Sequence, residues 1–535
     1  MVFRGLLMIL IPGGGRPLFE NLEMNPQFEK ALQLMEAGDN LFVTGKAGTG
    51  KSTLLAYYRS ITRKNIAVLA PTGVAAVNIS GQTIHSFFGF RPDVTVEKAR
   101  RGARKKADPL YSNLDMIIID EISMVRADLL DCVDQFLRIT GKVTGQPFGG
   151  TQMVFIGDLY QIPPVVTGQE RSIFNEYYDS EYFFHSRVYS ELEVEVLELE
   201  AIYRQTDQDF IDLLNKIRNK TALAEDIRAL NSRVVDESVS LPEDLVYLTT
   251  TNAMADKINR AELDKLPGEP HLLRAETSGD VDQKSFPADE VLEIREGAQV
   301  MLLNNDAAGR WINGTVGKVT GVWKDGLGVR LSDGTEHEVY PHKWNLYRYY
   351  WDDEAGAIAA DSAGSFKQYP LKLAWAVTIH KSQGKTFNQV LIDLGRGTFA
   401  TGQLYVALSR CRNYEGIYLK RAIRESDVLV DYRVVNYLTG RQYDLSEEKL
   451  PLDDKVRILN EAAINEAELE IVYLKNTDEK TRRLIRPERV GMMDYRGREF
   501  LGMRAFCLMR GEMRTFRVDR ILEIRKVATG LVFDS

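Results

Sequence analysis

The residues with the most definite chemistry are Gly45-Lys46-Ala47-Gly48-Thr49-Gly50-Lys51-Ser52, one residue beyond the apolar run Leu41-Phe42-Val43. Two glycines with four residues between them, followed by Lys-Ser, make a P-loop. Glycine lets the backbone curl until its N–H groups face one point. The helix begun by Ser52-Thr53-Leu54-Leu55 adds its positive end to that point. Such a cradle binds a nucleoside triphosphate: the lysine bridges the β- and γ-phosphates, and the hydroxyl of Ser52 holds Mg²⁺. Gly45, Gly48, Thr49, Gly50, Lys51, Ser52 and Thr53 are the expected nucleotide-binding residues.

Asp120-Glu121 ends a second apolar run, Met116-Ile117-Ile118-Ile119. In an open α/β sheet, ligands bind beyond the carboxyl ends of the strands. Asp120 is there the Mg²⁺ partner, and Glu121 positions and deprotonates the attacking water. Gln161 lies in Gly157-Asp158-Leu159-Tyr160-Gln161-Ile162-Pro163-Pro164-Val165. It either senses the γ-phosphate through its amide or belongs to a turn stiffened by the prolines. Gln27, upstream of the P-loop, either pairs its amide with adenine N6 and N7 or simply opens a helix.

The elements that must hold these groups are visible as further apolar runs. Ile66–Ala70, Met116–Ile119 and Met153–Ile156 alternate with helical stretches, which predicts a parallel sheet covered on both faces. Leu245–Thr249, Val390–Leu394 and Gly416–Leu419 form a second such set with no second P-loop. A duplicated core of that kind sits across the nucleotide and supplies charge from the far side. Arg204 and Arg410 are the expected arginine fingers, with Arg412 a competitor two residues on.

Composition sets outer bounds. A chain of 535 residues predicts three or four domains. The net charge of −8 means that a nucleic-acid partner needs a local basic groove. Cys132, Cys411 and Cys507 lie far apart, which excludes a zinc ribbon or a disulfide scaffold and suits a reducing, cytoplasmic setting. The apolar run Gly5–Pro12 is too short to span a bilayer, so residues 1–24 are expected to be an unstructured leader and no membrane partner is expected.

At this point the chain resembles a known family. Ala70-Pro71-Thr72-Gly73-Val74-Ala75-Ala76 with Thr83-Ile84-His85-Ser86-Phe87 looks like helicase motif Ia and its neighbour, Asp120–Met124 like motif II and Gly157–Val165 like motif III. Tyr203-Arg204-Gln205 resembles motif IV, Trp375–Gly384 motif V and Gly402–Arg410 motif VI. Pro147-Phe148-Gly149-Gly150 resembles part of the signature stretch of the PIF-type helicases of superfamily 1B, neighbours of the RecD-like enzymes.

The resemblance implies two RecA-like α/β domains in tandem. The first would cover residues 25–200, with a small wedge domain 1B at about 89–110; the second would cover 201–450, with an SH3-like domain 2B at about 314–365. It implies an ATP- and Mg²⁺-dependent DNA helicase, monomeric, moving 5′→3′ on single-stranded DNA and opening single-/double-strand junctions. Gly384 joins the expected nucleotide contacts. The implied strand contacts are Thr72, Thr83, His85, Phe87, Pro163, Val165, Thr378 and His380, with Phe87 stacking on a base unless it is a buried aromatic. The basic run Glu97–Lys106 is a solvated face on charge alone; the resemblance turns it into a phosphate contact. The aromatics Trp323, Trp344, Tyr347, Tyr349, Tyr350 and Trp351 are expected mainly as the core of 2B. The rival readings are a RecD-like subunit of a larger complex and an ATPase switch governed by a ligand at the C-terminus.

That terminus is a separate module. Asp444–Asp454 reads as a linker, and residues 455–535 as a β-rich unit similar to a WYL domain, with Phe500-Leu501 where that family has Tyr-Leu and Glu499 in place of its Trp. Arg504, Arg510, Arg514, Arg517 and Arg520 make it basic, which suits a nucleic-acid or other anionic ligand, or else a docking role. None of the motifs lies in it, so ATP hydrolysis is expected to survive its removal.

Overall fold

The computed structural model describes residues 24–526 apart from 92, 107, 167, 206, 237–241, 243–244, 280–285, 305, 307, 312, 324 and 353–356. The expected leader, save Met24, lies outside the described residues. So do the side chains of Tyr347, Tyr349, Tyr350 and Trp351.

Six parallel strands form the first core: β1 (Asn40–Gly45), β2 (Ile66–Ala70), β3 (Gln82–Thr83), β4 (Met116–Ile119), β5 (Gln152–Ile156) and β6 (Val194–Leu199), in the spatial order β3-β2-β4-β5-β1-β6. Side chains alternate across a strand, so β1 feeds two cores. Leu41 and Val43 pack with Leu54, Tyr58, Val68 and Ile118 on one face. Phe42 points the other way, among Leu69, Ile117, Phe155 and Phe183. Continuous apolar runs are what burial on both faces demands. β6 is less legible because Glu195 and Glu198 interrupt it, yet it pairs with β1 from Asn40↔Val194 to Gly45↔Leu199.

The second core is a four-stranded parallel sheet of β7 (Val246–Thr249), β8 (Ala376–Thr378), β9 (Val390–Asp393) and β10 (Ile417–Leu419), ordered β8-β7-β9-β10. Its Val246, Leu248 and Ile392 belong to the same buried cluster as Phe42 and Phe155 of the first core. Between β7 and β8 comes an antiparallel insertion. Its strands start at His271, earlier than residue 314, and include a five-stranded sheet that takes in Gln299–Leu302 and Leu371–Leu373. Trp344 is buried there, whereas Trp323 is exposed. In the first core, the helix Val96–Lys105 carries the basic run and buries only Ala99 and Ala103.

Pro147-Phe148-Gly149-Gly150 is a structural turn. Phe148, Gly149 and Gly150 all have positive φ (49°, 62° and 74°). Phe148 is fully buried and donates its N–H to Asp134 at 2.8 Å. A Cβ on Gly149 would lie 2.3 Å from the Leu137 carbonyl oxygen, so no side chain fits.

The expected linker is largely helix. Tyr432–Lys449 runs as one helix and Leu452–Ile464 as the next, leaving only Leu450 and Pro451 between them. The module beyond is an antiparallel sheet of β11 (Leu469–Leu474), β12 (Lys480–Tyr495), β13 (Arg498–Cys507), β14 (Glu512–Arg517) and β15 (Ile521–Lys526), ordered β14-β13-β12-β11-β15. Leu459 of the second helix is fully buried against Ile471, Ile485 and Met503 of that sheet. Ser446, on the first helix, donates to the carbonyls of Ile521 (3.2 Å) and Leu522 (3.0 Å), fastening the helix to the sheet. No helix among the described residues is long and apolar enough to cross a membrane.

Candidate active site

The P-loop closes between β1 and the helix Lys51–Ile61. Gly45, Gly48 and Gly50 hold φ of 152°, 85° and 84°. A Cβ on Gly45 would meet the Leu199 carbonyl at 2.6 Å, and one on Gly48 would meet the Arg204 Cβ at 2.5 Å. Glycine is therefore required by the neighbours as well as by the curl. Lys51 donates to the carbonyls of Gly45 (2.7 Å) and Lys46 (2.9 Å), which holds its ammonium over the loop. Burial pulls its pKa down, and the carboxylates of Asp158, Glu121 and Asp120 oppose that.

A cleft of about 820 Å³ opens here, lined by Ala47 to Thr53, Glu121, Gln161, Tyr203, Arg204, Gly384, Thr386, Arg410, Arg412 and Asn413. Residues from both cores thus share one cavity, and Ser52, Thr53 and Gly384 are among them. Gln27 is not in this lining; its amide reaches Glu200 at 3.5 Å.

Glu121 has φ of 50°, a left-handed conformation that a non-glycine residue keeps only when its surroundings impose it. Its N–H donates to the Asp120 carboxylate at 2.9 Å. Burial raises the pKa of both acids, Asp120 also through repulsion from Glu121, while Lys51 opposes the rise in each. Arg410 and Arg204 also oppose the rise at Glu121, so the two adjacent carboxylates meet cations from both sides of the cleft.

Arg410 is 1% exposed, with its guanidinium fixed by donation to the Val406 carbonyl (2.9 Å) and the Ser409 hydroxyl (2.9 Å). Burial and the nearby Arg204 pull its pKa down to about 9. Arg204 donates to the Ser409 carbonyl at 3.2 Å. Gln161 is buried and accepts from the Gln383 amide at 3.2 Å, so it joins the first core to the second.

None of the expected strand contacts lines this cleft. Thr72, Thr83 and Thr378 each accept a backbone N–H three residues on, from Ala75 (3.2 Å), Ser86 (3.2 Å) and Lys381 (3.3 Å). Thr378 is itself buried, His85, Pro163 and His380 are half-buried, and Val165 is exposed. Phe87 corrects the expectation of base stacking. It is 4% exposed, edge-on to Phe88 at 4.8 Å and to Tyr111 at 5.6 Å, so its ring is core.

Sequence reasoning missed several residues. Phe399 is 63% exposed and stacks on His380 with ring centroids 6.3 Å apart, offering a flat aromatic surface. Nothing in its glycine-rich surroundings signalled that. Tyr203 lines the cleft, and its hydroxyl accepts from Asn25 at 2.9 Å. Tyr405 accepts the N–H of P-loop residue Ala47 at 2.9 Å and donates to Asp158 at 3.2 Å. Both tyrosines lie inside motif stretches quoted above, which was the available signal.

Comparison with known proteins agrees with this geometry. Residues 25–228 match the PIF1-like helicase family, and residues 454–526 match the WYL domain. The chain is 32% identical to the ATP-dependent DNA helicase Pif1 of Bdellovibrio bacteriovorus, over 79% of this chain and 93% of that protein. It is 34% identical to human ATP-dependent DNA helicase PIF1 over 74% of this chain, and spans 60% of that longer protein. A Bacteroides Pif1 in complex with ADP-AlF4 aligns at a TM-score of 0.70 with 36% identity, covering 78% of this chain and 97% of that one. The Bacteroides Pif1 complex with ADP-AlF3 and ssDNA covers the same shares at 35% identity and a TM-score of 0.56. By sequence and by fold, this chain belongs to the PIF1-like helicase family, as an ATP-hydrolysing enzyme that carries a WYL domain at its C-terminal end.

Proposed function

We propose that this helicase couples ATP hydrolysis to 5′→3′ movement along single-stranded DNA and opens duplex at single-/double-strand junctions. The observation that carries the reading is the shared cleft: Lys51, Glu121 and Gln161 from the first core face Arg410 and Gly384 from the second. In this reading Lys51 and the P-loop N–H groups hold the phosphates, Glu121 takes the proton of the attacking water, and Gln161 senses the γ-phosphate. Arg204 and Arg410 stabilise the charge that develops on it. The Ser52 hydroxyl and the Asp120 carboxylate are the hard oxygen donors that Mg²⁺ takes, and the ion when bound neutralises phosphate charge. Both arginines come from the same chain as the P-loop, which supports action as a monomer.

The strand runs past Thr72, Thr83, His85, Pro163, Val165, Thr378 and His380. Phe399 takes the stacking role that the buried Phe87 does not. Closure of the two cores on ATP and their opening after hydrolysis then shift the strand through that groove. The support for DNA as the track is the Bacteroides relative with bound ssDNA. The test is unwinding of two partial duplexes, one with a 5′ tail and one with a 3′ tail. Strand separation from the 5′ tail alone is expected; equal use of both tails would overturn the polarity.

A further inference from the structure

The turn joining β11 to β12 carries Asp478, with a φ of 57° and only 8% exposure. Acids at hairpin tips ordinarily face water; this one enters the motor. Its carboxylate accepts from the Tyr160 hydroxyl (3.0 Å) and the Gln442 amide (3.0 Å), and its backbone carbonyl accepts from Asn219 (3.2 Å). Two residues on, Lys480 pairs with Glu198 (2.9 Å) and Glu200 (3.0 Å), at the end of β6.

Both anchors lead to the P-loop. Arg218, buried, lies over the Tyr160 ring at 3.8 Å and sits between two buried carboxylates, Asp158 at 3.7 Å and Asp478 at 3.9 Å. Asp158 accepts from the Tyr405 hydroxyl at 3.2 Å, and that hydroxyl accepts the Ala47 N–H of the P-loop at 2.9 Å. Along the other route, Glu198 pairs with Thr44 and Leu199 with Gly45 across β6 and β1. The Leu199 carbonyl fills the space where a Gly45 side chain would stand. A buried cation held by two carboxylates has a definite place; with one of them removed it is drawn to the other, and Asp158 is the one tied to Tyr405.

We propose that Asp478 of the C-terminal module is a positioning residue for ATP hydrolysis, acting through Arg218, Tyr160 and Asp158 to hold Tyr405 and the P-loop in their working geometry. The proposal rests on the assignment of ATP hydrolysis to the cleft. It makes the WYL domain part of the motor and runs against the expectation that hydrolysis survives removal of residues 455–535.

The test uses the full-length chain with Asp478→Ala, Asp478→Asn and, as a control on the outer helix of the module, Arg457→Ala. The readouts are kcat and KM for ATP at saturating single-stranded DNA, affinity for a fluorescent ADP analogue, and the melting midpoint. Asp478→Ala is expected to lower kcat about tenfold with nucleotide affinity within about twofold of wild type. Asp478→Asn suits the left-handed turn and keeps an acceptor for Tyr160 but loses the charge facing Arg218, so it falls between. Arg457→Ala is expected to match wild type. Wild-type kcat in Asp478→Ala would overturn the proposal. So would a loss of kcat that only follows the unfolded fraction at the assay temperature. Wild-type turnover indifferent to single strands would instead count against the helicase reading, and the ratio of variant to wild-type kcat would still decide the role of Asp478.

Discussion

Arg204, which follows β6 and packs on Gly48 of the P-loop, donates to the backbone carbonyl of Ser409 at 3.2 Å, a contact that ties the P-loop to the second core across the nucleotide cleft. The Ser409 hydroxyl accepts from Arg410, so one serine holds both arginines. Arg204 in turn packs so closely on Gly48 that no side chain fits there. The two candidate fingers therefore form one unit spanning P-loop and second core, and they are expected to act together.

Arg410→Lys keeps a cation but loses the planar fork that Val406 and Ser409 hold. Hydrolysis should fall by about 100-fold or more with nucleotide still bound. Arg204→Ala should show the same split. Because the two share Ser409, the double variant should lose less than the product of the single losses. Steady-state ATPase beside equilibrium binding of an ADP analogue checks this, and strict multiplicativity would show that they act independently.

Lys51→Ala removes the ammonium held over the P-loop by Gly45 and Lys46 and should abolish turnover. Glu121→Gln keeps the shape but loses the base, so hydrolysis should drop by about 10²–10⁴-fold while nucleotide remains bound. The same two assays separate these outcomes. A Glu121→Gln chain that no longer bound nucleotide would move Glu121 from chemistry to binding.

Gly149→Ala places a Cβ 2.3 Å from the Leu137 carbonyl at a φ of 62°. The turn must shift, and with it Phe148, whose N–H is held by Asp134. A loss of about 2–4 kcal/mol is expected in denaturant unfolding monitored on the first core. An unchanged midpoint would mean that the turn relaxes freely.

The basic face of the WYL domain is weaker than its arginine count suggests. Arg504 pairs with Glu488 at 3.2 Å, Arg514 with Glu512 at 2.6 Å and Arg517 with Asp519 at 2.6 Å. Arg510 is exposed, and we expect it to meet one strand phosphate. The Arg510→Ala variant should then flatten the slope of log affinity against log salt by about 0.7, the contribution of one single-strand phosphate. A salt titration of single-strand binding measures it, and an unchanged slope would remove this face from the DNA path.

The P-loop, the Asp120-Glu121 pair, the two sets of apolar strands and the order of the motifs are legible in the linear order of residues. Those features are local. A glycine spacing, a run of β-branched residues or an acid at a strand end carries its meaning within a few positions. Tertiary structure alone decided the rest. Phe87 and Phe399 carry the same side chain, yet packing buries the first against Tyr111 and leaves the second exposed on His380. Asp444–Asp454 reads as a linker because it is polar, but the helix it completes is held by Ser446 against strand β15. Asp478 and Tyr160 stand 318 positions apart, and their bond exists only because a hairpin tip docks between the cores. Side-chain burial and pairing of that kind are set by which surfaces meet in space, and no periodicity along a single strand of residues encodes that meeting.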